Sequence, residues 1–154
     1  MNKRENIDIY FLKIAELVGS RSTCNRGKTG CIIVKDKRII STGYAGSPRG
    51  LDHCDDVGHL LGIEIKNKIR SEHCIRSCHS EENALLQCSK FGVSTKDSTL
   101  YCTMTPCFRC AKMIINSGIK NVICLNDYHD SEMTKKIFKN LIYLKIIMGV
   151  KKYG

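Results

Sequence analysis

Residues 98–125, "STLYCTMTPCFRCAKMIINSGIKNVICL", hold the pattern that decides the fold. "TLYCTM" and "NVICL" are short runs of β-branched, aromatic and other apolar residues. Between them Cys107, Cys110, Ala111, Ile114 and Ile115 recur at i, i+3, i+4, i+7 and i+8, the stripe of a helix that buries one face, and Gly118 closes it. Strand, helix, strand in that order builds a parallel, right-handed crossover. Downstream the pattern repeats, with a further helix at 131–140 before the apolar run "IYLKIIM". Upstream, Ala84, Leu85, Cys88 and Phe91 form a stripe that ends at Gly92. "GCIIVKDKRIISTG" reads as a hairpin turning at 35–37, and Ile7, Phe11, Ile14, Ala15 and Val18 as a first helix stopped by Gly19. The order predicts an α/β fold with a mixed five-stranded sheet, an antiparallel hairpin plus three parallel strands. Residues 44–78 have no sustained period and carry Gly46, Pro48, Gly50, Gly58 and Gly62. They read as a loop-rich insertion with a short helix near 60–66, inside one domain spanning 1–154.

Two helix starts carry chemistry. "RSCHSEENALLQ", residues 76–87, places His79 and Glu81 where an amphipathic helix begins, and "TPCFRC" places Cys107 and Cys110 on the first turn of the next one. Alone, the first is a capping or solvated pair and the second a redox pair or core sulfur. Together they differ: Pro106 precedes the cysteine pair, and both halves open consecutive helices of one crossover unit. H-x-E followed by P-C-x-x-C marks the zinc deaminases. One imidazole and two thiolates are three zinc ligands, which leaves a fourth position for water, as in a catalytic zinc site. Helix N-termini favour the thiolates. Zinc lowers the pKa of a bound water from about 15.7 towards about 7, and Glu81 is the carboxylate expected to move protons while His79, Cys107 and Cys110 hold the metal.

Composition bounds the alternatives. The 154 residues are 42% hydrophobic and 26% charged with two prolines, an ordinary globular balance that needs no disulfide stapling. "MNKRENIDIYFLKIAELVG" lacks the continuous apolar centre of a signal peptide, and no run is long enough to span a membrane, so a cytoplasmic protein is expected. In a reducing compartment ten cysteines imply metal ligands and core sulfurs rather than disulfides. The formal charge of +10 suits a small phosphorylated metabolite or solvated lysines. Apart from the C-terminal "GVKKYG" the basic residues are spread out, so no nucleic-acid or membrane partner is expected.

The strings "RSTCNRGKTGCIIVKDKRIISTGYAGSPRG", "CHSEENALLQ", "TLYCTMTPCFRCAKMIINSGIKNVI" and "DYHDSE" resemble the deoxycytidylate (dCMP) deaminases, over about residues 21–130. "GY-x-G-x-PRG" and "YHD" carry the resemblance more specifically than the zinc motif does. It implies a cytidine deaminase-like three-layer α/β/α sandwich and hydrolysis of dCMP to dUMP and ammonia, supplying thymidylate synthesis. It also implies a homo-oligomer, commonly a hexamer, often activated by dCTP and inhibited by dTTP with Mg2+. By the same resemblance Arg26 and Tyr128 lie near the substrate phosphate. The backbone N–H of Ser80, which stands where relatives carry alanine, faces the pyrimidine. Ala45 replaces the asparagine usual in "GYNG", a departure at the sugar.

Cys31, Cys88, Cys102 and Cys124 fall where relatives carry small apolar residues and are expected in the core, with Cys78. Cys24, Cys54, His59, His73 and Cys74 fall in irregular segments, where many dCMP deaminases use a second, structural zinc. Four ligands close such a site, and Cys24, Cys54, His59 and Cys74 are the expected set, with His73 in reserve. The rival readings are a nucleic-acid base deaminase such as the tRNA adenosine deaminases, a riboflavin-pathway deaminase, and a non-catalytic zinc-bound binding or competence protein. The cysteine-bearing insertion argues against the first, the lack of a fused reductase against the second, and Glu81 against the third.

Overall fold

The computed structural model describes residues 4–66 and 68–147; the basic "GVKKYG" and Met148 of the last apolar run lie outside them. Helix α1 (Ile7–Gly19) is capped by Asn6, whose side chain accepts the Asp8 N–H at 2.9 Å. Strands β1 (Gly30–Lys35) and β2 (Arg38–Tyr44) make the expected hairpin. Asp36 and Lys37 have φ of 50° and 60°, both left-handed, the two-residue turn whose twist matches that of the strands.

Residues 44–78 then depart from expectation. They hold a short helix α2 (Cys54–Val57) and a separate two-stranded sheet, β3 (Leu61–Lys66) with β4 (Ile69–Cys74). The short helix expected near 60–66 is a strand. Leu61, Ile63 and Ile65 alternate at period two, and Lys68, at φ 65°, takes the left-handed turn that folds β4 back. Most of the hairpin's side chains are exposed, so no core stripe announced it.

Helix α3 (Ser80–Phe91), β5 (Thr99–Met104), α4 (Phe108–Asn116), β6 (Asn121–Asn126), α5 (Glu132–Phe138) and β7 (Tyr143–Ile146) complete the chain. The main sheet runs β2-β1-β5-β6-β7. Strand β1 is antiparallel to β2 and β5, while β5, β6 and β7 are parallel. This is the mixed five-stranded sheet read from the sequence, with helices on both faces. Alternate residues of each strand feed the two cores. Phe11 and Leu12 of α1 cover Ile32, Val34, Tyr101, Ile123 and Leu125. On the opposite face Ala84, Cys88, Ala111, Ile114 and Phe138 of α3, α4 and α5 cover Ile33, Leu100 and Val122.

Cys31, Cys102 and Cys124 stand at paired positions on β1, β5 and β6 in that second core, and Cys88 joins them from α3; all four are at most 2% exposed. Cys78 is only half-buried, because it bridges Gly46 at the rim of the sheet. A Cβ at Gly43 would come within 2.1 Å of the Ser80 carbonyl oxygen and 2.6 Å of the Ala84 nitrogen, so only glycine lets the start of α3 lie this close to β2. Helix α4 starts at the C-terminal end of β5, the end of a parallel strand where α/β folds build sites. No described helix is long and apolar enough to cross a membrane.

Candidate active site and second metal centre

His79 and Cys107 are the N-cap residues of α3 and α4, both in extended conformation, and Cys110 lies in the first turn of α4. His79 Nδ1 is 3.5 Å from Cys107 Sγ and 3.5 Å from Cys110 Sγ. A tetrahedral zinc ion with bonds of about 2.3 Å to sulfur and about 2.0 Å to nitrogen holds its donors about 3.5–3.8 Å apart, so the three atoms fit one.

Their electrostatics point the same way. Donation from Cys110, with His79 alongside, holds the Cys107 thiol down at about 4, and contact with Cys107 raises His79 to about 9. Cys110 is pushed well up, first by giving its proton to Cys107 and then by burial. The pair keeps one thiolate by itself; a second calls for a cation.

Glu81, on the first turn of α3, is 6% exposed. Its carboxyl lies outside the donor cluster, accepts the Ser80 hydroxyl at 3.1 Å, and is pushed up by burial. The sequence pattern points only to the Ser80 backbone, and this side-chain bond leaves no periodic signal. Glu82 stands one place beyond the H-x-E motif, so the motif does not single it out. One of its oxygens accepts the His79 N–H at 2.9 Å, closing the α3 capping box, and the other takes the Arg109 guanidinium.

Cys24, Cys54, His59 and Cys74 form a second group, with all four donor atoms within 4.8 Å of one another. Cys24 Sγ is 3.6 Å from His59 Nδ1, and Cys54 Sγ is 3.5 Å from Cys74 Sγ, again the edges of a zinc tetrahedron. His59 Nε2 lies 2.9 Å from Asn25 Oδ1; donation there fixes the tautomer that frees Nδ1 for an ion. Burial and the neighbouring Cys74 and Cys24 push Cys54 up to about 12. Cys74 is also pushed up by burial, yet contact with His59 and the N–H groups of Arg76 and Ser77 bring it down to about 6. His73 lies on β4 opposite Gly62, exposed and outside this group.

Arg26 donates to the Glu72 carbonyl of β4 at 3.1 Å, and Lys66 at the end of β3 pairs with both oxygens of Asp130 at 2.7 Å. The Tyr128 ring lies 4.3 Å from that of His129. Burial, then the charges of Asp130 and Cys107, raise the Tyr128 hydroxyl, which brings Tyr128 within electrostatic range of the first cluster. Asp127 anchors this loop: its oxygens accept Thr105 at 3.0 Å, Ser131 at 2.8 Å and Lys135 at 2.7 Å. Ala45 is buried, its N–H bonded to the Thr29 carbonyl and its own carbonyl to the Thr23 N–H. Among the described residues Thr23 Oγ1, Ser47 Oγ and Arg76 Nε are buried without a hydrogen-bond partner, two of them flanking Ala45 and Cys78 in sequence. Such atoms find partners in a ligand or water.

Residues 5–126 match the model of the cytidine and deoxycytidylate deaminase zinc-binding region. The chain is 43% identical over 130 residues to ComE operon protein 2 of Bacillus subtilis, covering 84% of the chain and 65% of that protein. It is 38% identical over 137 residues to the deoxycytidylate deaminase of Saccharomyces cerevisiae, covering 89% of the chain and 43% of that protein, so the match spans less than two thirds of either relative. The crystal structure of dCMP deaminase from the cyanophage S-TIM5, in complex with dCMP and dUMP, superposes with a TM-score of 0.73 at 29% identity, over 94% of this chain and 99% of that one.

Proposed function

The chain belongs to the cytidine and deoxycytidylate deaminase family, and on that premise we propose that it hydrolyses dCMP to dUMP and ammonia. The observation that carries this reading is Glu81, a buried carboxyl that feels the charges of His79 and Cys107 and is not among the donors. A purely structural zinc site has no use for such a group. The S-TIM5 relative, captured with dCMP and dUMP, is what brings the nucleotide to this chain.

A zinc ion held by His79, Cys107 and Cys110 supplies a Lewis acid that lowers the pKa of a water molecule from about 15.7 towards about 7. The proton work falls to Glu81. Its carboxylate takes a proton from the attacking water and delivers it to the ring nitrogen beside C4. It then passes the second proton to the departing amino group, so that a C4–O bond replaces the C4–N bond and one water yields one ammonia. Burial, which raises the carboxyl, suits a group that must both accept and release a proton near neutral pH. The Ser80 hydroxyl steadies that carboxylate while the Ser80 N–H faces the pyrimidine. Arg26 and Tyr128 serve the phosphate.

In the same reading Cys24, Cys54, His59 and Cys74 hold a second, structural zinc, and the enzyme is a cytoplasmic homo-oligomer such as a hexamer. Its product feeds thymidylate synthesis, and dCTP and dTTP with Mg2+ regulate it. Ammonia release from dCMP, dCTP, cytidine and a tRNA anticodon stem, each with and without added dCTP, tests the proposal. Turnover of dCMP above the others supports it. Release from the tRNA stem alone, or from nothing when the protein is loaded with zinc, overturns it.

A further inference from the structure

The three donors of the first cluster come from the starts of two helices. His79 belongs to the start of α3 and Cys107 and Cys110 to the start of α4, and the His79 ring meets both sulfurs from across that gap. Glu82 supplies the link. Its carboxylate is buried, and its two oxygens face different helices: one caps the His79 N–H, and the other meets the guanidinium of Arg109, which stands between Cys107 and Cys110 in sequence.

We propose that Arg109 and Glu82 form a clamp between the two helix starts that sets the spacing of the metal donors, so that Arg109 is a positioning residue for metal retention. The inference rests on the metal reading above and not on the reaction. An exposed ion pair is ordinarily worth little, and the Arg109 side chain is 74% exposed. Glu82 differs from an ordinary surface partner. It is 7% exposed and already fixed through its cap to His79, so little further freedom is lost when Arg109 joins it. A guanidinium also spreads its charge over a planar fork suited to a carboxylate. A small drift of α4 away from α3 would lengthen both sulfur–nitrogen edges at once, since both cysteines ride on the same turn.

The test is zinc release from the zinc-loaded protein to an excess of a chromophoric chelator. The phase missing in His79→Ala is assigned to this cluster, and any remaining phase to the second group. Glu82→Gln keeps an acceptor for the His79 N–H but loses the charge that holds Arg109; Arg109→Gln removes the other partner at an exposed position where folding is not at stake. Each is expected to speed the His79-dependent phase by about tenfold, the scale of losing an outer-shell partner. The double variant should be no faster than either single one, and the remaining phase should not change. A His79-dependent phase that Arg109→Gln leaves at the wild-type rate overturns the clamp alone, as does a double variant whose effects multiply. A wild type with no His79-dependent zinc overturns both the clamp and the metal reading beneath it.

Discussion

In the proposed mechanism Glu81 separates holding a metal from moving a proton: the carboxyl is buried, lies outside the donor group and accepts the Ser80 hydroxyl. Glu81→Gln keeps the shape and removes the proton carrier. We expect deamination to fall by at least about 10²-fold while the zinc content stays at the wild-type value; loss of zinc in this variant would make the carboxyl a ligand instead. Asp127 gives a second test at the same scale. Lys135 first, then Ser131 and Thr105, hold its carboxyl below the usual range, which is about 3.9 in an unfolded chain. A depressed folded pKa contributes stability that is present above the unfolded value and lost as the pH falls through the folded one. Asp127→Asn should therefore melt below wild type at neutral pH, with the gap closing in acid, where the wild-type carboxyl also takes up its proton. A gap that is constant with pH would assign the effect to packing. Single residues were legible where spacing alone carries the pattern: His79, Cys107 and Cys110 come within reach of one ion, as the two motifs imply. Glu82 with Arg109, His59 with Asn25, and Asp127 with Thr105 join separate elements, and no local pattern marks such pairs.

At the level of elements, the contrast lies between α4 and the β3–β4 hairpin. Helix α4 buries Cys110, Ala111 and Ile114 against the sheet, so its stripe is written into the sequence at helical period. The hairpin leaves Ile63, Ile65 and Ile69 exposed and has no core of its own, and a lone two-stranded hairpin is marginal in water. What fastens it is the four-donor group at its base, Arg26 on Glu72 along its length, and Lys66 on Asp130 at its far end. Reading the region as a loop failed because fasteners of this kind leave no periodic trace. The cysteines were still readable as a group, since irregular segments give a buried sulfur little other purpose, and the structure brings three of them together with His59. Elemental analysis should find two zinc ions per chain, falling to one in Cys54→Ser, whose hairpin amides then exchange faster while those of β5 and β6 do not. One ion in the wild type would leave the hairpin fastened by the Arg26 hydrogen bond and the Lys66–Asp130 ion pair.

Across the whole molecule, the two ends of the described chain meet on one face of the sheet. Asp8 in α1 accepts the Tyr101 hydroxyl at 3.0 Å and the Lys145 ammonium of β7 at 2.8 Å. Tyr101 is buried, so Asp8→Ala strands its hydroxyl and should cost about 1–3 kcal/mol in denaturant unfolding. Lys145 is 41% exposed, and Lys145→Met should cost less than about 1 kcal/mol. Equal losses would put the ammonium, not the phenol, at the centre of the network. The layered architecture was readable because five strands and four longer helices each bury a stripe, and connection order then leaves little choice of topology. The row of sulfurs through the middle of that sheet has an analytical use. Cys31, Cys88, Cys102 and Cys124 belong to neither donor cluster and are almost wholly buried, whereas Cys74 and Cys107 of the clusters, and Cys78, are half-buried. A coloured thiol reagent added with a chelator should thus react in two stages. The half-buried Cys74, Cys78 and Cys107 answer first, the two cluster thiols as metal leaves, and the four core cysteines only as the sheet itself comes apart, so the slow stage clocks global unfolding without any attached label.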